Sequence, residues 1–189
     1  MRGKRMSPIE ALLSRVSVPR VLEPGVTSDE LDLLLRAGLR ACDHGRLRPY
    51  RFVLLEGEVR ERLGEAMSNY LHGDLLDISE DAIEAAKNKA LRAPTLLSVI
   101  FCPRDHDKIP ETEQLVTAGC AAQLIVTAAH MLGIGAIWRT GNAIYSGEVS
   151  KTLDLDENEQ VVAMIYLGRP AGDLPSPPEV DPETFLERL

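Results

Sequence analysis

The sequence is short of cysteine, of clustered positive charge and of long apolar runs, and each shortage removes a class of protein. Cys42, Cys102 and Cys120 are the only cysteines. Three is too few, and odd, for a disulfide framework, so a reducing compartment is expected and with it a cytoplasmic protein. His44, His72, His106 and His130 are far apart, and no Cys/His group has zinc spacing, so no metal is expected. The basic start MRGKRMSPIEALL is not followed by the apolar run of a signal peptide. The most apolar segment, residues 123–138, is broken by His130, Gly133 and Gly135 and is too short to span a bilayer, which predicts a soluble chain with no membrane partner. A formal charge of −8 argues against nucleic acid, whose phosphates require a broad positive face. An anionic ligand would need a local basic pocket.

Two familiar sites are missing as well. Gly133-Ile134-Gly135 lacks the third glycine of a dinucleotide loop and precedes a strand instead of a helix. No serine sits in a strand-turn-helix elbow. Neither a hydrolase nor a metalloenzyme is supported.

What is present is enough apolar residue, 44% of 189, for one buried core, and we expect a single domain over residues 1–189. Residues 1–6 are expected to be disordered. Residues 170–189 form a proline-rich tail that either wraps the surface or reaches a partner.

The pattern predicts a short helix from Ser7 to Arg15, with Pro8 at its first position. Thr27 and Glu30, flanked by Val26 and Leu31, have the spacing of a capping box inside a hydrophobic staple. From there Leu31, Leu34, Leu35, Gly38, Leu39 and Cys42 form one helical stripe. Strands are expected at residues 50–55, 95–102, 135–138 and 161–168, and further helices at 58–71, 79–91, 110–133 and 142–153. The helix over 110–133 is apolar or small nearly all round, so it must be covered on most sides by its own sheet and by a second subunit. That element order suits a mixed sheet with helices on its faces.

Three patches pair a guanidinium with a hydroxyl, a histidine or an aromatic ring: Arg15-Val16-Ser17, the loop from Arg40 to Arg48, and Trp138-Arg139-Thr140. Arginine forks and hydroxyls suit phosphate oxygens, and a tryptophan can lie against a planar ring. Together they point to a phosphorylated aromatic ligand. Plainer roles stand beside these. Arg15 could offset a helix dipole, His44 could bond Asp43 or backbone, and Trp138 could be core at a strand end. Cys42 and Cys120 could simply pack, and residues 154–159 could be a solvated acidic loop.

The stretches ALLSRVSVPRVLEP, LRAGLRACDHGRLRPYRFVLLEGEVRERL, AGCAAQLIVTAAHMLGIGAIWRTG and YLGRP, in that order, resemble the short bacterial branch of the FMN-dependent NAD(P)H nitroreductase family. The resemblance implies an α+β nitroreductase-like fold, a central mixed sheet flanked by helices, in an obligate homodimer with two FMN sites shared across the interface. It implies that Arg15, Val16 and Ser17 hold the FMN phosphate and ribityl chain, that Trp138, Arg139 and Thr140 lie on the same-chain flavin, and that Arg40 and His44 reach the partner's flavin. NAD(P)H is the implied electron donor, a small molecule the acceptor, and no catalytic side chain is assigned. The sequence departs from the family pattern at Val16, where a second arginine is usual, at Cys42, where proline is usual, and at Arg48-Pro49-Tyr50, where Gln-Pro-Trp is usual. These departures leave open a non-catalytic FMN-binding dimer, or a flavoenzyme of different specificity.

Overall fold

The structure is a computed structural model and describes residues 7–74 and 79–189. The expected disorder of residues 1–6 falls outside them. Reciprocal caps start the first two helices. In α1 (Pro8–Leu13) the Ser7 hydroxyl accepts from the Glu10 amide at 3.2 Å, while Glu10 accepts from the Ser7 amide at 2.7 Å. In α2 (Ser28–Gly38) Thr27 and Glu30 make the same pair at 3.2 and 2.8 Å. Each box satisfies two amides that a helix start leaves without partners. Arg169 donates to both oxygens of Glu30, at 2.9 and 2.8 Å, and lowers its pKa to about 2.

Five strands form one sheet: β1 (Val21–Leu22), β2 (Tyr50–Leu55), β3 (Thr95–Phe101), β4 (Gly135–Arg139) and β5 (Gln160–Pro170). β5 is central. β3 lies along one of its edges and carries β2 outside it, whereas β4 and β1 pair with β5 in turn, at residues 164–168 and 169–170. All four pairings are antiparallel. Parallel directions therefore occur between non-neighbours, such as β3 and β4, and the mixed sheet implied by the resemblance takes only that form within one chain. A bulge between Val99 and Ile100 skips Val162.

Helices cover both faces. α5 (Glu111–Met131) and α2 pack on Leu97, Val99, Phe101, Ile165 and Leu167. On the other face, Leu96, Ile100, Met164 and Tyr166 meet Leu63 and Met67 of α3 (Glu58–Asp74) and Val149 of α6 (Gly147–Thr152). β3 reads as a continuous apolar run because all seven of its residues are buried. α4 (Glu80–Lys87) lies against α3 and continues into a 3-10 turn at Asn88–Leu91. α5 is long and apolar enough, by length and composition, to cross a membrane, and extends beyond the 123–138 segment weighed from sequence; half of its most apolar window is buried here. Ala118, Ala121, Ala122 and Ala129 let it approach the sheet closely.

Several boundaries differ from expectation. α2 ends at Gly38, so Leu39 and Cys42 of the expected stripe are exposed. The helix expected over 142–153 breaks at Ser146, whose extended backbone closes a 3-10 turn and whose hydroxyl caps α6. β1 was not expected, because two residues carry no period. The acidic loop at 154–159 is not simply solvated. Glu159, its side chain only 8% exposed, accepts from Arg51 Nε at 2.9 Å and Nη2 at 2.7 Å, and from the Cys102 thiol at 2.8 Å.

Two outcomes follow for stability. A Cβ on Gly64 would land on the carbonyl oxygen of Lys87, where α3 meets the end of α4. Overpacking of about 1–3 kcal/mol exceeds the roughly 1 kcal/mol of helix propensity gained, so Gly64→Ala should lower stability in urea unfolding. The hydrogen bonds from Arg51 pull the Glu159 pKa from 4.5 to about 2. A lowered carboxylate stabilises the fold fully above its unfolded value and loses that contribution as pH falls through the folded value. Melting temperature should therefore drop between about pH 5 and pH 2, and Glu159→Gln should flatten that limb while lowering the plateau at neutral pH.

Candidate functional site

The segment after α1 is drawn along the edge strand. The Val18 amide donates to the Ala136 carbonyl at 2.9 Å, and Arg139 Nη2 reaches the Pro19 carbonyl at 3.5 Å. Arg15, Val16 and Ser17 lie between Val18, which is bonded to β4, and Ser14, which meets the end of α5. Ser14 Oγ lies 3.1 Å from His130 Nε2 in the last turn of α5. Burial, and then the Arg15 charge, lower the His130 pKa, which favours the neutral ring. Arg15 and Val16 are half-buried, and Ser17 and Thr140 are exposed.

Strand alternation sends Trp138 and Arg139 to opposite faces. Trp138 is half-buried against the α5-side core, so its packing role is present. Arg139 turns to the α3 side, its guanidinium carbon 5.6 Å from the Tyr166 ring centroid, within the range of a cation-π contact. Its Nε is buried and, among the described residues, has no hydrogen-bond partner. A buried donor left unpaired costs free energy that a bound acceptor would recover.

A cavity of about 450 Å³ opens beside it, lined by Arg139, Thr140, Gly141, Asn142, Lys89 and Arg92, with Met67, Tyr70 and Tyr166 among the walls. Gly141 turns at φ 153°, a backbone region that side chains rarely allow, and nothing lies within 4 Å of where its Cβ would be. Three cations, an unpaired donor and aromatic walls suit a planar anion. Lys89, Arg92 and Tyr166 were missed in the sequence. Lys89 falls in the helix expected over 79–91 and Tyr166 in the strand expected over 161–168, and nothing in their spacing marks a shared cavity. Only the fold joins them.

Arg40 and His44 stand elsewhere. His44 Nδ1 lies 2.8 Å from Glu113 Oε2 in the first turn of α5, rather than meeting Asp43, one of its two plainer partners. Asp43 instead accepts from the Leu47 and Arg48 amides at 3.1 and 2.8 Å. Thr117 Oγ1 donates to the Cys42 carbonyl at 3.1 Å. The two groups of expected site residues thus border opposite ends of a 21-residue helix, about 30 Å long at 1.5 Å per residue. One chain does not bring them together.

The cysteines play no part in the cavity. Burial, and then the Glu159 contact, push the Cys102 thiol up to about 12, while Cys42 is exposed and Cys120 half-buried.

An α+β layered domain with a cationic, aromatic-walled cavity beside its edge strand is a ligand-binding domain. The chain belongs to the nitroreductase family, whose profile matches residues 13–169. It is similar to "Putative NAD(P)H nitroreductase YdjA" of Escherichia coli (strain K12), 37% identical over 166 residues, 87% of this chain and 89% of that protein. Among solved structures, a nitroreductase-like family protein from Bacillus cereus aligns with a TM-score of 0.83 at 19% identity, covering 100% of this chain and 99% of that one. A "putative nitroreductase in complex with fmn" from Desulfovibrio desulfuricans aligns at 0.68 and 25% identity, covering 96% of each.

The unpaired Nε makes a prediction that needs no ligand. Replacing Arg139 by methionine keeps the stem against Tyr166 and removes a buried, unsatisfied donor, so unfolding free energy should be unchanged or raised by up to about 2 kcal/mol. A loss above about 1 kcal/mol would show that the guanidinium is structural.

Proposed function

We propose that this chain is an FMN-dependent oxidoreductase, working as a homodimer, that takes hydride from NAD(P)H and passes it to a nitroaromatic, quinone or similar small acceptor. The observation that carries this reading is the separation of the two residue groups along α5. Arg15, Ser17, Arg139 and Thr140 gather at one end, and Arg40 and His44 at the other. A second copy antiparallel to the first would put the far end of its α5 beside the near end of this one, completing each site from two chains. The uncovered side of α5 supports it: Val116 is 66% exposed and Met131 50%, beside Leu13 of α1 at 69%. Residues 171–189 are exposed throughout, which suits a tail that reaches the partner.

The residues present fit FMN on the structure's own terms. The Arg139 Nε is a buried donor in want of an acceptor, and Lys89 and Arg92 share its cavity. FMN, when bound, supplies the two-electron redox chemistry, and the protein supplies binding, orientation and electrostatics. Arg139, Lys89 and Arg92 place positive charge where the reduced, more negative ring is stabilised. Arg15 and Ser17 provide a guanidinium and a hydroxyl for the phosphate. Glu113 holds the His44 imidazole by Nδ1. Donor and acceptor use one site in turn, a ping-pong order, and solvent supplies the proton. Cys42 and Arg48 stand where the family usually has other residues, so acceptor choice is expected to differ there.

The purified protein should be yellow, and rapid mixing with NADPH or NADH should bleach it. Flavin that stays oxidised with both would favour the non-catalytic dimer that the Val16 departure suggests. Arg139→Met should retain at least about tenfold less FMN, in line with losing a charge-assisted bond. Sedimentation should give a dimer, and a flavin-loaded monomer would refute the shared site.

A further inference from the structure

The loop between α2 and β2 carries more positive charge than contacts at Arg40 and His44 require. Arg36, Arg40 and Arg48 line one concavity with Ala37 and Leu39. Arg40, Arg46 and Arg48 line the next, with Asp43 and Tyr50. These two hollows share Arg40 and Arg48, so four guanidinium groups border one continuous surface in a protein of net charge −8. Arg36 is paired to Asp32 at 2.6 Å. Among the described residues, no salt bridge takes up Arg40, Arg46 or Arg48. Asp43, the carboxylate in the lining, is occupied by the Leu47 and Arg48 amides.

The backbone there is unusual in the same direction. Gly45, Arg46 and Arg48 have φ of 70°, 57° and 47°. Left-handed backbone is easy for glycine and costly for arginine. Strain of this kind persists where surrounding structure enforces it, and it concentrates at functional sites. Here the Asp43 carboxylate enforces it through two amides, and the strained residues are the ones whose guanidinium groups enter the hollow. Glycine would relax the turn, and arginine occupies it.

Arginine forks around a concave surface match the oxygens of a phosphomonoester, which can accept from several at once; here Arg36 is held by Asp32, and Arg48 Nη1 donates to the Arg46 carbonyl at 3.4 Å. We propose that Arg36, Arg40, Arg46 and Arg48 form a phosphomonoester-binding subsite that receives the 2′-phosphate of NADPH and so selects NADPH over NADH. This rests on the NAD(P)H-dependent reading above, in which the same loop meets the partner's flavin. It adds the donor's identity and the role of Arg46 and Arg48.

The test is calorimetric titration of the flavin-loaded protein with adenosine 2′,5′-bisphosphate, 5′-AMP and inorganic phosphate. The bisphosphate should bind at least about tenfold more tightly than 5′-AMP or inorganic phosphate. The double variant Arg46→Gly/Arg48→Gly should lose that preference while keeping its flavin absorbance and a melting temperature no lower than the parent's, since glycine relaxes both positions. Equal affinity for the two nucleotides, or a preference that survives in the glycine variant, overturns the proposal. Inorganic phosphate binding as tightly as the bisphosphate marks a plain ion site and overturns it too. Loss of flavin from the variant assigns the arginines to the FMN phosphate, and a melting temperature that falls sharply makes them structural; either result also rejects it. A parent protein that holds no flavin refutes the oxidoreductase reading separately, because the titration still reads the arginines in flavin-free protein.

Discussion

The pairing of β5 along both edges is the constraint on which the rest of this structure depends. A strand buried on both faces must find partners for its backbone amides and carbonyls within the sheet. One edge is filled by β3 alone, whereas the other is divided between β4 and the two residues of β1. That division fixes Arg139 opposite Met164 and brings the Arg15 to Pro19 segment alongside it, since β1 follows at once. The cavity is built at the place where one edge strand hands over to another.

The second constraint is length. α5 is continuous from Glu111 to Met131, apolar and packed against the same sheet, so it acts as a fixed spacer between His130 and Glu113. Residues recruited at one end cannot drift toward the other without repacking a core of alanines and Ile125. The proposed site, drawn from both ends, therefore requires two chains in register.

Much of this was legible in the sequence because it rests on local rules. The Ser7 and Thr27 caps, the apolar period of α2, the continuous run of β3 and the small residues of α5 each report a local environment. What was not legible depends on crossings. Lys89 and Tyr166 lie on different layers and meet only because α3, the turn after α4 and β5 converge. Glu159 read as one more acid in a solvated loop, because its partner Arg51 is on β2, far away in sequence. The plainer role for His44 looked to Asp43 or backbone close in sequence, and the ring instead meets Glu113 from another element. The resemblance already divided the motif residues into two groups, and what the fold adds is the length of α5 between Glu113 and His130.

The tail carries a consequence for chain entropy. Residues 171–189 lie open to solvent, and an open arm ordinarily resists docking because it has many conformations to give up. Pro175, Pro177, Pro178 and Pro182 fix φ at four positions and restrict the residues before them. The arm is stiffened before it touches anything, so less disorder is lost when it settles on a surface. Exchange of the four prolines for alanines would return that freedom to the arm.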